Sequence, residues 1–267
     1  MKDLLSEKGI YYKVNEFRPE RQTLVFVHGV SGSSSAWVKF ENRFKNEFNV
    51  LSFDLRGHGK SFKPQEYEKY SVSYFAEDLH SLLEDLGIKK FVLISHSFGC
   101  FVAFEFLREH QSMVSKSVFL SPNFSVYKML SARIVRPFVS VGVSLLKLLP
   151  LSLKVRGHID YSKYSDKGGD WNIPITTANI INTSLRVYLY ATKHSYYFDA
   201  EDLLDQIHIP TLIMHGRKDT IFPVRYGIET AKKIKNSEMI ILEKANHILV
   251  LNNFKEVSDA IYDFVKK

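Results

Sequence analysis

The chain reads as an α/β fold: a mostly parallel central sheet flanked by helices, with one helical insert. Three observations predict it. Short strand-like runs alternate with helical patterns along nearly the whole sequence, which calls for crossover connections and therefore parallel strands. The strand candidates are continuous apolar runs, as strands covered on both faces require. Between Phe124 and Phe198 the alternation stops and the charge balance changes.

Taken in order, residues 11–14 and 23–27 read as strands, the second running into His28-Gly29-Val30-Ser31-Gly32. Residues 36–46 place Trp37, Phe40 and Phe44 at helical spacing. A strand at 50–53 leads into the loop Asp54-Leu55-Arg56-Gly57-His58-Gly59-Lys60-Ser61. Residues 73–86 carry an apolar stripe (Phe75, Leu79, Leu82, Leu83, Leu86) and stop at Gly87. A strand at 91–94, a tight turn, a helix to about His110 and a strand at 117–120 follow. Beyond the break come a strand at 211–214, a helix at 224–234, a strand at 238–242 and a closing helix at 250–265. There is no internal repeat or low-complexity tract. Residues 1–123 and 199–267 are expected to form the core, and residues 124–198 a helical lid over the strand ends.

Within that insert, residues 137–149 form an amphipathic pattern. Phe138, Val141, Leu145, Leu148 and Leu149 share one face, Ser140, Ser144 and Lys147 lie elsewhere, and Pro150 is expected to stop the helix. Residues 166–170 read as a loop and 183–192 as a helix. Ten basic residues against three acidic ones give this stretch the chain's entire formal charge of +7. Excess charge confined to one segment points to an anionic partner or surface for that segment. Two readings stay open. The apolar helix and the cations bring the lid to an anionic membrane surface, or the apolar residues only pack the lid and the charges solvate it.

Composition narrows the rest. A chain of 267 residues at 45% hydrophobic can bury a full core as one large domain. The single cysteine, Cys100, makes no intrachain disulfide. The first eight residues lack the apolar stretch of a signal peptide, and no charge-free apolar run approaches the ~18 residues of a membrane span. Cytoplasmic residence is the default expectation. The histidines show no HxxxH spacing and the cysteine stands alone, so no metal or other cofactor is expected, nor a nucleic-acid partner.

The chemistry concentrates at Ser95-His96-Ser97-Phe98-Gly99, between the apolar run at 91–94 and the helical stretch from Cys100. Small-x-Ser-x-Gly between a buried strand and a helix is the nucleophile-elbow arrangement. The turn is so tight that small residues are needed two before and two after the serine. It lifts the Ser97 hydroxyl clear of the sheet at a helix N-terminus, where free N–H groups stabilise negative charge. In parallel sheets functional groups gather at the carboxyl ends of strands, and His28, Ser97, Asp219 and His247 all follow strand ends. A serine hydroxyl needs a base, and the base needs a third group to fix its tautomer. Ser97, Asp219 and His247 supply those roles in the chain order Ser…Asp…His. The strand ending at Leu120 is followed by Ser121-Pro122-Asn123, without a carboxylate. His96 is directed away from Ser97, and His28 and His58 read as loop-organising. Asp54 and Arg56 pair or cap local backbone, Asp199 and Asp202 begin and cap the helix near Leu203, and Cys100 packs its helix against the sheet.

Over nearly its whole length the chain resembles the α/β-hydrolase superfamily. The resemblance rests on His28-Gly29, the loop from Asp54 to Ser61, the Ser97 elbow, Gly216-Arg217-Lys218-Asp219 with Phe222-Pro223, and Asn246-His247. The pattern looks like the monoacylglycerol-lipase and carboxylesterase branch. The resemblance implies an oxyanion hole made by the backbone N–H groups of Val30 and Phe98. It implies a serine hydrolase that cleaves small-molecule acyl esters through an acyl-enzyme. Related epoxide hydrolases and haloalkane dehalogenases carry aspartate where Ser97 stands, which disfavours those activities. Ser95 and Cys100 stand where the family often has glycine. Other reactions on the same three residues remain alternatives (C–C bond hydrolysis, acyl transfer, thioester hydrolysis, perhydrolysis), as does a receptor-like ligand-binding protein with little turnover. Apolar and aromatic lid residues such as Phe124, Met129, Phe138, Tyr188 and Tyr196 would suit an acyl chain.

Overall fold

Eight strands form one sheet in the computed structural model, which describes residues 1–149, 154, 156–164, 169–170 and 172–267. They are β1 (Lys2–Leu5), β2 (Tyr11–Val14), β3 (Thr23–Val27), β4 (Asn49–Phe53), β5 (Phe91–His96), β6 (Val114–Leu120), β7 (Thr211–Gly216) and β8 (Ser237–Leu242). Their order is β1-β2-β4-β3-β5-β6-β7-β8. β1 and β2 pair antiparallel at one edge, and every pairing from β4 to β8 is parallel. The chain is thus an alpha/beta sheet fold, as its alternation predicts.

Side chains alternate across each strand, so the sheet owns two apolar layers. Leu24, Phe26, Val92, Ile94, Val118 and Met214 face one side. Helices α1 (Val38–Phe44) and, at the chain end, α10 (Phe254–Lys266) pack there, with the Phe26 ring 5.1 Å from Trp37 and 6.2 Å from Phe40. Val25, Val27, Leu51, Leu93, Phe119 and Ile213 face the other, against α2 (Val72–Asp85) and α3 (Phe98–His110). Each fully buried Phe or Leu contributes about 2–3 kcal/mol of transfer free energy, so continuous apolar strands need both helical layers.

Three further helices follow α3 and β6: α4 (Leu130–Lys147), α5 (Ile173–Thr183) and α6 (Leu185–Ser195). Then come α7 (Glu201–Leu204), α8 (Arg225–Lys233) and, before α10, α9 (Leu249–Asn252). Among the described residues, no helix is long and apolar enough to cross a membrane.

Several elements differ from the sequence expectation. β1 was not expected: its four residues are all exposed, and backbone pairing with β2, not burial, creates it. α4 starts at Leu130 and carries Pro137 inside it. Proline has no N–H to give the Arg133 carbonyl, so α4 continues through residue 137 with one backbone bond fewer. The expected stop at Pro150, and the expected loop at Asp166–Gly168, lie outside the described residues. α5 gave no helical signal because its Ile and Thr residues are β-branched; Asn172 caps it by accepting the Ile175 N–H. The helix expected over 183–192 is α6, with its start shifted: Thr183 ends α5, and Ser184 (φ 87°) breaks the chain and caps α6 through its hydroxyl and the Val187 N–H. The closing helix is split at Asn253 into α9 and α10. Arg56 does not pair with Asp54: it makes a two-pronged ion pair with Asp78 at 2.6 Å on both prongs.

One close approach sets the position of the tight turn. A Cβ on Gly99, in the first turn of α3, would lie 2.6 Å from the Val27 carbonyl oxygen and 2.8 Å from that of His28. Only glycine lets α3 start against β3 in this way. Gly99→Ala is expected to destabilise the protein by about 1–3 kcal/mol, lowering Tm by several degrees in a thermal melt. An unchanged Tm would show that the α3–β3 contact can yield.

Candidate active site

The carboxyl ends of β3, β5, β7 and β8 carry four polar loops into one cleft. The β5–α3 turn presents Ser97 with φ 54° and ψ −119°, a conformation that side chains rarely adopt. Packing around it holds that strain. Ser97 N–H is bonded to the Leu120 carbonyl at 3.0 Å, Cys100 N–H to the Ser97 carbonyl at 2.8 Å, and Ser95 is fully buried against β6. On the neighbouring loops, a Cβ on Gly216 would lie 2.4 Å from the Asn246 carbonyl oxygen. That approach brings the β7 loop bearing Asp219 against the β8 loop bearing His247.

Ser97, His247 and Asp219 form one hydrogen-bonded chain. Asp219 Oδ2 accepts the His247 Nδ1–H at 2.8 Å, which leaves Nε2 to accept the Ser97 hydroxyl at 2.7 Å. Asp219 Oδ1 accepts the backbone N–H groups of Ile221 (3.0 Å) and Phe222 (2.8 Å). His215 Nε2 also lies 3.0 Å from Asp219 Oδ2 and donates to the Phe222 carbonyl at 2.7 Å. Burial alone would push the Asp219 carboxyl up. The hydrogen bonds from His215 and His247 outweigh it and hold the group well below the usual carboxylate range. The acid therefore stays ionised through neutral and mildly acidic pH, and the imidazole between it and the hydroxyl can take up the serine proton.

The main chain of His247 is fixed as firmly as its ring. Its carbonyl accepts His96 Nε2–H at 2.9 Å and the Ser121 hydroxyl at 3.2 Å. Its N–H donates to Asp170 Oδ1 at 2.6 Å, while Asp170 Oδ2 accepts both the N–H (2.7 Å) and the hydroxyl (2.8 Å) of Thr220. Asp170 is the residue sequence reasoning missed. It looked like one more loop carboxylate, and its partners lie 50 and 77 positions away with no local signal to mark them. His215 was visible at its strand end, but its contact with Asp219 was not.

The remaining histidines have structural work. Burial, with His247 nearby, pushes His96 down to about 3, so it is neutral and turned from the Ser97 hydroxyl to the His247 carbonyl. His28 donates from Nδ1 to the Gly29 carbonyl (2.8 Å) and accepts the Leu55 N–H at Nε2 (3.0 Å). His58 donates to the Arg56 carbonyl at 2.8 Å. Asp54 caps the N–H groups of Ser34 (2.7 Å) and Lys60 (2.8 Å) and accepts from His158 at 2.7 Å. Asp199 accepts the Glu201 N–H at 3.0 Å, whereas Asp202 pairs with Arg108. Cys100 is fully buried and its thiol is pushed up to about 12 by that burial, so it is no rival nucleophile.

Val30 lies in the loop after β3, and Phe98 follows Ser97 at the start of α3. Phe98 opens α3, and neither its N–H nor that of Val30 meets an acceptor among the described residues. Both residues line a cavity of about 470 Å³ with Ser97 and His247 on its floor. Phe101, Met129, Val135, Tyr188, Phe222 and Val250 supply much of its wall. Helices α4–α6 close the far side and are tied down by Thr183, whose hydroxyl donates to the Ser31 carbonyl at 2.9 Å and whose carbonyl accepts Lys63 Nζ at 3.1 Å. Among the described residues no group of three His, Cys, Asp or Glu side chains is arranged to hold a metal ion.

Comparison with known proteins agrees with this architecture. Residues 22–254 match the family model described as the alpha/beta hydrolase fold. The chain is 27% identical over 252 residues to the AB hydrolase superfamily protein YisY of Bacillus subtilis, covering 90% of each. It is 23% identical over 253 residues to human Protein ABHD8, covering 91% of this chain and 54% of that protein, so it spans about half the relative's length. A thermophilic esterase from Thermogutta terrifontis superposes with a TM-score of 0.76 at 20% identity, over 96% of this chain and 93% of that one. At that identity the likeness speaks for the fold.

Replacing Asp170 by alanine frees the His247 N–H. In amide hydrogen exchange that proton should lose protection while the β5 amides keep theirs. Unchanged protection at His247 would mean that the Asp170 contact does not hold the loop.

Proposed function

This chain belongs to the alpha/beta hydrolase family, and on that premise we propose that it is a serine hydrolase of carboxylic esters with apolar acyl chains, working through an acyl-enzyme. The observation that carries the reading is the hydrogen-bonded run Ser97–His247–Asp219 on the floor of an apolar cavity. Family membership and the esterase fold neighbour lend it support.

In this reading Ser97 Oγ attacks the acyl carbonyl carbon while its proton passes to His247 Nε2. The carbonyl π pair moves onto oxygen, which accepts the N–H groups of Val30 and Phe98. A donor of this kind typically contributes about 3 kcal/mol to the transition state. The tetrahedral intermediate collapses, the C–O bond to the leaving group breaks, and the His247 proton goes to the departing alkoxide. Water then repeats the sequence, with His247 taking its proton and returning it to Ser97. Asp219 keeps Nδ1 protonated throughout and faces the imidazolium as it forms. Neutral His96 adds no competing charge beside it.

Substrate class follows from the wall. The cavity volume of about 470 Å³ lies within the usual range for small-molecule sites. Side chains such as Phe98, Phe101, Met129 and Val135 offer an acyl chain burial and few polar partners. Each methylene buried there is worth about 0.8 kcal/mol, or roughly fourfold in kcat/KM.

A fluorophosphonate probe should label the folded protein at Ser97, and Ser97→Ala should abolish labelling and ester turnover without changing Tm. Absence of labelling would sink the proposal. Asp219→Asn should lose on the order of 10³–10⁴-fold in kcat because the productive tautomer is no longer enforced; near-normal turnover would mean a different acid. Across p-nitrophenyl esters, kcat/KM should rise from acetate towards medium chains. A preference for acetate would refute the apolar-chain assignment.

A further inference from the structure

Helix α4 carries apolar side chains on two nearly opposite sides, and among the described residues only one is covered. Ala132, Val139, Val143 and Leu146 pack inward, towards α6 and the body of the protein. At about 100° per residue, Leu130, Ile134, Phe138, Val141, Leu145 and Leu148 fall along the outer side as one stripe. These six are between 59% and 80% exposed. The stripe runs about 27 Å at 1.5 Å per residue. An apolar surface of that extent marks contact with another apolar phase or partner.

The surrounding charge identifies the phase. From Phe124 to Ile159 the sequence contains no Asp or Glu, but it holds Lys128, Arg133, Arg136, Lys147, Lys154 and Arg156. On the helix, Arg133 and Lys147 lie on one side of the stripe, about 60° and 100° from its edge, while Arg136 lies about 120° away, towards the covered side. Arg136 sits between the rings of Tyr127 and Tyr197, 5.1 Å from each. Lys147 reaches the exposed Glu68 at 3.2 Å, and Arg133 meets no carboxylate among the described residues. A second copy laid face to face would oppose two cationic flanks. An anionic bilayer matches both features, with acyl chains for the stripe and headgroups for the cations.

We propose that the outer face of α4 seats the protein on an anionic lipid surface, the stripe at the acyl boundary and Arg133 and Lys147 at headgroup level. Met129, at the start of this helix, and Ala132 and Val135 within it line the cavity above Ser97, so seating brings the cavity wall against lipid. Delivery of acyl esters to Ser97 rests on the ester-hydrolase reading; the seating itself does not.

The test uses the full chain carrying Ser97→Ala, so that no lipid is turned over, sedimented with phosphatidylcholine vesicles with or without phosphatidylserine. Binding should favour the anionic vesicles by about fivefold per engaged cation and fall at high salt. Adding Phe138→Glu with Leu145→Glu should abolish binding. Arg133→Gln with Lys147→Gln should remove the preference for phosphatidylserine, and it tests the proposal even if the glutamates disturb folding. Failure to sediment with anionic vesicles, or binding that survives both pairs of changes, overturns the proposal. So does a dimer, seen by sedimentation velocity, that Phe138→Glu disperses in a chain that binds no lipid. Turnover of a short water-soluble ester by protein with Ser97 intact separates the two readings. Normal turnover without vesicle binding removes the seating alone, and vesicle binding without turnover removes the ester reading alone.

Discussion

The backbone of Ser97, held at φ 54° in the narrow gap between β5 and α3, is the constraint on which the site depends. A serine in that conformation costs on the order of 1–3 kcal/mol, and the neighbouring packing must hold it. Gly99 lets α3 start within contact of the Val27 and His28 carbonyls, and β6 binds the Ser97 N–H. Two buried apolar layers hold the sheet that supports these contacts. The hydroxyl thus points into the cavity because the core leaves the turn no other shape.

A second constraint acts on His247. Ring and main chain together meet partners from β5, β6, β7 and the segment after α4: Ser97, His96, Ser121, Asp219 and Asp170. Charge is distributed to match. Asp219 remains ionised because two imidazoles donate to it, while burial keeps His28 and His96 neutral. A proton taken from the Ser97 hydroxyl would therefore reach an imidazole whose other nitrogen faces the Asp219 carboxylate.

The segment between β6 and β7 has a dual character. Inward it supplies apolar walls and the Asp170 carboxylate; outward it shows an apolar stripe beside cations. It is tied to the body by apolar packing, with Val187, Tyr190 and Phe198 in the same buried layer as α2 and α3, and by polar contacts through Thr183, Lys63, His158 and Asp170.

Much of this was legible in the sequence. Continuous apolar strands alternating with helical stripes determined the parallel sheet, because no other arrangement covers both faces. The small residues around Ser97 determined the elbow, and strand-end positions singled out Asp219 and His247. Most of the misses share one cause, non-local contact. β1 exists through backbone pairing with β2; α5 is the local exception, a β-branched run capped by Asn172. Asp170 acts on partners 50 and 77 residues away. The direction of the α4 stripe also lay beyond the sequence, since periodicity shows that a helix has an apolar face but not whether that face is covered. Local pattern determined which elements form and which residues stand at their ends. Tertiary structure decided which distant groups meet and which apolar surface stays open to water, because both depend on how layers pack in space and not on spacing along the chain.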